Sequence, residues 1–169
     1  VNTILKLAEV KAAQPTDLIL LWAAKSEPLT LENQESGDKR VVNALALYMI
    51  RDDSERGKAP LDGSVITDAR VSYDQAGNPE VSMSMSSDEG APKWLEMTTE
   101  AFNNNKAAIA ITMDNLVYSA PGVRNGPIAQ GRSSISLGAG NVNDQLNEAE
   151  DLSQLLKAGS LPAPAKIVD

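Results

Sequence analysis

The segment from Ala107 to Ala120 constrains the fold more than any other, because apolar side chains alternate on both sides of a short polar centre. That centre is Asp114 and Asn115, and these residue types tolerate the positive φ angles that a two-residue hairpin turn requires. Around such a turn the large side chains share one face: Ile109, Ile111, Met113, Leu116 and Tyr118. A one-residue slip would move all of them to the opposite face, so the pattern specifies the register. We predict a tight β-hairpin at the centre of a domain, with its larger face covered by two amphipathic helices.

The bulk composition describes a globular chain and excludes several classes of function. Its 169 residues suffice for one domain or two small ones, and its net charge of -8 argues against a nucleic-acid partner, which would need clustered Lys and Arg. Histidine and cysteine are both absent, which excludes disulfides, thiolate chemistry and His-assisted nucleophilic catalysis. The longest strongly apolar run, Leu18–Ala24, is far shorter than the roughly 20 residues of a membrane-spanning helix. Because the chain starts at Val1 rather than at methionine, we expect a processed protein or an excised fragment.

The N-terminal part of the chain predicts a helix followed by a long β-hairpin. Asn2 is a suitable cap for a helix that ends near Gln14. The apolar run Leu18–Ala24 and the alternating run Val41–Ile50 predict two antiparallel strands, and the polar residues 25–40 connect them.

The segment Arg51–Pro60 is the most charged part of the chain and contains Gly57 near its end. Charged segments that close on Gly and Pro are typical of boundaries between substructures. We therefore predict a boundary near Gly57, although a plain solvated loop explains the same composition equally well.

After this boundary the sequence predicts short elements in regular succession. They are strands Val65–Tyr73 and Glu80–Ser86, a helix from about Ala91 to Phe102, the hairpin, a strand Ser133–Leu137, a helix from Asn141 to Gly159 and an edge strand over residues 165–168. Ser87 or Asp88 is expected to cap the first helix. The second helix has an apolar stripe: Val142, Leu146, Ala149, Leu152, Leu155 and Leu156. The order β-β-α-β-β-β-α-(β) indicates the α+β class, with a ferredoxin-like antiparallel sheet, helices on one face and a small N-terminal α+β subdomain.

No group of residues in the sequence predicts a reaction centre. Asp52, Asp53 and Glu55 lie among basic residues and lack the turn glycine of a calcium loop, so they indicate a solvated charge cluster. The segment Asp74–Asn78 has too few carboxylates for a metal site and predicts a hairpin turn. The glycine-rich loop Pro121–Arg132 does not match a phosphate-binding spacing, and we expect a mobile connection. We therefore predict no catalytic, cofactor-binding or metal-binding residue and no cofactor, and we favour binding or mechanical work over catalysis.

Several segments of the second half resemble one protein family. Residues 66–75 (ITDARVSYDQ) and 79–85 (PEVSMSM) are similar to the extracytoplasmic loop of the bacterial protein-export subunit SecD, or of the SecD half of a fused SecDF chain. The likeness continues through the Ser-Asp-Glu-Gly start of the first helix and residues 114–121 (DNLVYSAP). In residues 151–168 a leucine-rich helix ends at Ala-Gly and is followed by Leu-Pro-Ala-Pro, which is the most specific part of the resemblance.

This resemblance implies a soluble domain on the periplasmic side of a bacterial inner-membrane protein. Its partners would be the Sec translocon and unfolded preproteins, and the parent protein would draw on the proton gradient through residues in its membrane helices. Residues 61–169 carry the resemblance well, whereas residues 1–56 match only loosely. Residues 1–56 would form a head and residues 57–169 a base, with Gly57 and Pro60 as hinge candidates. The resemblance assigns no polypeptide-binding residue and no oligomeric state.

Two alternatives stay open on the sequence alone. The first is a non-catalytic, porter-type periplasmic domain of a related export pump, which the context of the full-length chain would distinguish. The second is a carboxylate-based hydrolase, because any Asp and Glu can meet in a fold. Buried carboxylates converging on one point would support that second alternative.

Overall fold

The computed structural model describes residues 12, 15, 17–33, 37–51, 59–138 and 140–159. Some predicted features therefore lie outside the described residues: the helix Asn2–Gln14 apart from Ala12, the charge cluster at Asp52, Asp53 and Glu55, the hinge candidate Gly57 and the edge strand at 165–168.

The chain divides into two compact units. The first comprises Val1–Pro60 and Asp114–Tyr118, and the second comprises Leu61–Met113 and Ser119–Asp169. The predicted boundary near Gly57, like the assignment of a head and a base, stays a prediction.

The first unit contains four strands ahead of Pro60 among the residues that the structure describes. They are β1 (Leu18–Ala23), β2 (Glu27–Glu32), β3 (Lys39–Ala44) and β4 (Leu47–Arg51). β1 and β4 pair antiparallel, with Leu18 opposite Arg51 and Trp22 opposite Leu47. This pairing confirms the predicted antiparallel relation between the two apolar runs.

A second ribbon, formed by β2 and β3, is absent from the sequence predictions. The predicted continuous strand Val41–Ile50 is wrong, because Leu45 and Ala46 separate β3 from β4 and the two strands belong to different sheets. Residues 25–40, predicted to be a connection, contain the whole of β2. All six residues of β2 are exposed. Leu29 and Leu31 alternate with Thr30 and Glu32, but this run is short and follows Pro28, which is uncommon inside strands, so the segment gives only a weak strand pattern.

The predicted turn at Asp114 and Asn115 is confirmed. β7 (Ile111–Met113) ends before it and β8 (Leu116–Ser119) begins after it, and the φ angles of the two turn residues are 51° and 62°. Both angles lie in the left-handed region, which Asp and Asn enter more readily than most residues.

The place of this hairpin in the fold differs from the prediction. The strand order is β4-β1-β8-β7, so the hairpin lies at one end of a sheet rather than at the centre of a domain. β8 runs parallel to β1, with Val117 opposite Ala23, and Val117 is 2% exposed. Tyr118, on the face predicted to be covered, is 38% exposed. Side-chain size alone therefore does not indicate which face of the hairpin is buried.

The second unit is built on a three-stranded antiparallel sheet, in which β6 (Pro79–Met85) lies between β5 (Ile66–Tyr73) and β9 (Arg132–Ser136). Its elements are the short 3-10 helix Gly63–Val65, β5 (Ile66–Tyr73), β6 (Pro79–Met85), α1 (Gly90–Asn103), β9 (Arg132–Ser136) and α2 (Val142–Gly159). With β7 and β8 included, the order of strands and helices after residue 61 is the predicted one. The α+β class is confirmed.

Both helices lie on one face of this sheet, as predicted. The core that they enclose consists of Ala69, Val81, Met83, Met85, Trp94, Ile135, Ala149, Leu152 and Leu156. In β6 the residues alternate strictly, so that Met83 and Met85 are buried while Ser82 and Ser84 lie on the opposite face. Burial of one such apolar side chain contributes about 1.5–3 kcal/mol, which is why the period-2 pattern locates this strand in the sequence.

The two helices begin differently from each other. Asn141 caps α2 as predicted, because its Oδ1 accepts a hydrogen bond from the Asp144 N–H at 3.0 Å. The prediction that Ser87 or Asp88 caps α1 is wrong, since the Ser86 hydroxyl oxygen accepts the Gly90 N–H at 3.0 Å. A Cβ on Gly90 would lie 2.8 Å from the Met85 Cβ, so the helix can start this close to β6 only at a glycine.

Candidate functional site

Exposed apolar side chains are concentrated in the first unit. Among the described residues, nine large hydrophobic side chains are exposed, and six of them fall between positions 29 and 49. We call these six the apolar strand surface: Leu29, Leu31, Val41, Leu45, Leu47 and Met49. Single exposed apolar residues are common on soluble proteins, whereas a contiguous apolar patch favours interaction with a partner, so the faces on which these six residues lie matter.

Part of the apolar strand surface lies on the β1–β4 pair. Leu20 is opposite Met49 and Trp22 is opposite Leu47, so these four side chains occupy one face of the pair. Met49 is 67% exposed, and Leu20 and Trp22 are half-buried. This face of the two strands is therefore apolar and open at β4.

The rest of the apolar strand surface lies on the β2–β3 ribbon and in the link to β4. Leu29 is opposite Val42 on one face of the ribbon, and Val41 is opposite Thr30 on the other. The end of the ribbon is polar, where Glu32 and Lys39 form an exposed ion pair at 3.6 Å. An exposed pair of this kind contributes little to the stability of the ribbon.

The edge of β4 also lacks the usual protection of an edge strand. β4 ends the strand order of its sheet, contains neither proline nor lysine, and has a single charged residue, Arg51. By contrast, the edge strand β5 has a register shift after Ile66 and a surface ion pair between Arg70 and Asp68 at 3.2 Å. Bulges and charges of this kind oppose the addition of a further strand. Among the described residues no strand pairs with the outer edge of β4, and its side chains oppose a further strand less than those of β5 do.

The exposed face of the second unit's sheet is polar. Glu80 lies near the start of the central strand, β6, and its Oε1 accepts hydrogen bonds from the hydroxyls of Ser72 at 3.0 Å and Ser134 at 2.9 Å. These two serines belong to β5 and β9, so one carboxylate joins all three strands. This face has the character of a solvated surface rather than of an apolar contact site.

The predicted hairpin turn Asp74–Asn78 is confirmed. Both carboxylate oxygens of Asp74 accept hydrogen bonds from other residues of the turn. Asp74 Oδ1 accepts the Ala76 and Asn78 N–H groups, both at 2.8 Å, and Oδ2 accepts the Asn78 side-chain amide at 3.0 Å. The side-chain and then the backbone hydrogen bond from Asn78 lower the pKa of Asp74, because they stabilise its ionised form.

The glycine-rich loop Pro121–Arg132 is hydrogen-bonded to other segments at several points, and its expected mobility stays a prediction. The Val123 N–H donates to the Ala107 carbonyl at 3.2 Å, and the Ile128 N–H donates to the Thr98 hydroxyl at 3.0 Å. Near its end the Gly131 carbonyl accepts the Met85 N–H at 2.9 Å. The spacing of the glycines gave no sign of these partners, because all of them come from distant parts of the chain.

Other candidate residues do not come together. Pro60 is exposed, and its partner as a hinge candidate, Gly57, lies outside the described residues. Where side chains are described, no group of three potential metal ligands occurs, and the buried polar residues are Thr98, Ser133 and Ser153. No helix among the described residues is long and apolar enough to cross a membrane.

These features define an α+β domain that presents an apolar strand surface on one unit and a polar sheet face on the other. A family model described as SecDF, P1 head subdomain, matches residues 48–163. The chain belongs to the SecD/SecDF family of protein translocase subunits. This confirms the resemblance found in the sequence. The match falls mainly on residues that were predicted to form the base, although the family model is described as a head subdomain. The assignment of head and base therefore stays a prediction.

Individual relatives agree with this assignment. The chain is 39% identical over 169 residues to the protein translocase subunit SecD of Rhodothermus marinus, covering 100% of this chain and 24% of that protein. It is 36% identical over 113 residues to the protein translocase subunit SecDF of Thermus thermophilus, covering 67% of this chain and 14% of that protein. A crystal structure of SecDF from Thermus thermophilus, described as a translocon-associated membrane protein, has a TM-score of 0.51 at 32% identity and covers 68% of this chain and 14% of that one. The chain thus spans about a quarter of the SecD relative and less of the SecDF relatives.

Proposed function

We propose that this chain is the periplasmic domain of a SecD-type subunit in a bacterial inner membrane, and that its first unit binds unfolded preprotein during export. Membership of the SecD/SecDF family supports the first part of the proposal. The exposed apolar residues of β4, Leu47 and Met49, carry the second part. They share one face with the half-buried Leu20 and Trp22, and an exposed apolar face on a folded domain favours contact with another polypeptide.

The edge of β4 suits an extended segment of a preprotein. Such a segment would add to the sheet as a further strand, and its backbone N–H and C=O groups would bond to β4 whatever its sequence. Alternate side chains of the added strand would then reach the face that contains Leu47 and Met49. This mode of binding fits a partner that has no fixed sequence.

The wider mechanism follows the family resemblance. The Sec translocon delivers the preprotein, and the parent protein uses the proton gradient through its membrane helices. Gly57 and Pro60 are the hinge candidates by which the predicted head changes position relative to the base during this cycle. In this function the chain carries out no catalytic step and needs no cofactor.

Site-directed photocrosslinking tests the proposal. A photoreactive residue is placed at Leu47 or Met49 of the full-length parent protein in inner-membrane vesicles, and a preprotein is stalled during translocation. Tyr73 and Val142, which are 59% and 56% exposed in the second unit, are the control positions. We expect adducts at the β4 positions, and we expect them to require an active Sec translocon. Adducts at the control positions alone would contradict the proposed binding site, and adducts without Sec activity would contradict the assignment to export.

A further inference from the structure

The chain contains one Asn-Gly pair, Asn125–Gly126, which lies in the loop between β8 and β9. We propose that Asn125 is a site of spontaneous deamidation in the folded protein. The modification needs only water, and it is independent of the proposed role in export.

The reaction proceeds in two steps, cyclisation and hydrolysis. The Gly126 backbone nitrogen, after losing its proton, attacks the side-chain amide carbon of Asn125, and a C–N bond forms while the bond to Nδ2 breaks. Ammonia leaves with the proton, and a five-membered succinimide remains. Water then adds to either ring carbonyl and opens the ring, which yields aspartate or isoaspartate at position 125 with no oxidation or reduction.

The local geometry leaves both reacting groups accessible. Asn125 is exposed, and neither its side-chain amide nor the Gly126 N–H has a hydrogen-bond partner within the described part of the chain. Gly126 has a φ of +113°, and no heavy atom lies within 4 Å of the position that a Cβ would occupy. The absence of that Cβ also lets the backbone rotate toward the attacking geometry more freely than at any other residue type.

Two other asparagines, Asn78 and Asn141, each lack one of these conditions. Asn78 precedes Pro79, whose ring nitrogen has no proton to lose, and its amide is also bonded to Asp74. Asn141 has its amide nitrogen bonded to the Asp144 carboxylate and its oxygen bonded to the Asp144 N–H. Asn125 therefore differs from Asn78 and Asn141 in its hydrogen bonding as well as in the residue that follows it.

The modification changes both the charge and the backbone of the loop. It adds a negative charge to a chain whose net charge is already -8, directly after Arg124. The isoaspartate product also inserts one methylene group into the main chain between the anchored positions Val123 and Ile128.

Incubation of the purified protein at mildly alkaline pH tests the proposal. Peptide mapping by mass spectrometry measures conversion at each asparagine, and enzymatic methylation of isoaspartyl carboxyls identifies the rearranged product. The same incubation is repeated with urea-unfolded protein and with folded Asn125→Gln. We expect loss of the amide at position 125 in the folded protein ahead of every other asparagine, a shift to lower isoelectric point, and loss of both signals in Asn125→Gln.

Two outcomes would overturn the proposal. If the unfolded chain converts at position 125 while the folded protein does not, the fold protects the site. If Asn104, Asn141 or another asparagine converts first in the folded protein, the geometry at Asn125 does not select it.

Discussion

Thr98 shows how one buried side chain connects a helix to a distant loop. It is 0% exposed, its hydroxyl donates to the Trp94 carbonyl at 2.7 Å, and the same oxygen accepts the Ile128 N–H at 3.0 Å. A hydroxyl placed four residues after a helical carbonyl commonly donates back to it, so the first bond is local. The second bond holds the glycine-rich loop to α1.

We expect Thr98→Val to lower the free energy of unfolding by about 1–3 kcal/mol, because the half-buried Ile128 N–H loses its acceptor. Chemical denaturation followed by circular dichroism measures the change. Thr99→Val is the matched control, since the Thr99 hydroxyl donates only to the Leu95 carbonyl and accepts no bond from the loop. Equal losses for the two variants would contradict the role of Thr98 as an acceptor.

Leu152 tests the packing of α2 on the sheet. It is 5% exposed and belongs to the core of the second unit. We expect Leu152→Ala to lower the free energy of unfolding by about 2–5 kcal/mol, because the substitution leaves a cavity. Val142→Ala on the same helix is the control, since Val142 is 56% exposed and surface substitutions usually change stability by less than about 0.5 kcal/mol. A loss at Leu152 within that surface range would contradict the observed burial.

At the scale of single elements, the turn between β5 and β6 gives a pH prediction. We expect Asn78→Ala to raise the pKa of Asp74 toward its ordinary value, because the side-chain bond that contributes most to lowering it is removed. The folded protein favours the ionised carboxylate, so its contribution to stability is present above the ordinary pKa and is lost as the pH falls through the lowered one. Titration of the Asp74 carboxyl by NMR, with Asp88 as an exposed reference, measures the shift. An unchanged pKa would show that the backbone bonds alone determine it.

The turn between β7 and β8 gives a conformational prediction. Asn115 has a φ of 62°, and a β-branched residue is strained there by about 1–2 kcal/mol. We therefore expect Asn115→Val to lower the free energy of unfolding by about that amount, whereas Asn115→Gly leaves it equal or higher. Thermal and chemical denaturation of the two variants measure the difference. Equal stability of Val and Gly at this position would contradict the left-handed conformation.

The elements that could be predicted from the sequence are those with one buried and one solvated face. In β6 the methionines and serines alternate, and in α2 the leucines recur at helical spacing, so burial leaves a period in the sequence. In β2 the alternation is limited to Leu29 and Leu31 beside Pro28, and all six residues are exposed, so the sequence pattern is weak. The hydrogen bond from the Gly90 N–H to the Ser86 hydroxyl depends on how closely Gly90 approaches Met85. Features of this second kind arise from tertiary contacts, which a local pattern does not contain.

The residues of the candidate site also show how little a local sequence pattern says about tertiary contacts. The alternating apolar residues of the run Val41–Ile50 predict one long strand. In the structure the run divides between two sheets, and Val41, Leu45 and Met49 are exposed. Apolar alternation indicates that one face of a strand is shielded from water, but it does not say whether the chain itself or a partner shields it.

At the scale of the whole molecule, the distribution of charge predicts how preprotein binding responds to salt. β1 and β4 together contain one charged residue, Arg51, in a chain with a net charge of -8. Burial of apolar surface and backbone pairing are screened little by salt, whereas contacts between exposed charges weaken beyond a Debye length of about 10 Å at 0.1 M ionic strength. We expect the affinity for an unfolded, apolar polypeptide to change little as ionic strength rises, as fluorescence anisotropy of a labelled peptide measures. A steep fall in affinity would indicate a charged binding surface instead.

A paired substitution distinguishes the two units in this assay. Met49→Asp places a charge on the exposed face of β4, and we expect it to abolish peptide binding while leaving the thermal midpoint close to that of the unmodified chain. Val142→Asp introduces the same charge at an exposed apolar position of the second unit and is expected to leave binding unchanged. Equal loss of affinity in both variants would contradict a binding site confined to the first unit.

The chain contains two tryptophans, and the fold places one in each unit. Trp94 lies in the core of the second unit, where its ring nitrogen donates to the Ser133 hydroxyl at 2.7 Å, and Trp22 lies half-buried in β1 of the first. Each unit therefore has its own intrinsic fluorophore. Replacement of either ring by phenylalanine leaves tryptophan emission from one unit alone, so the order in which the two units lose structure under load or denaturant can be recorded without any added dye.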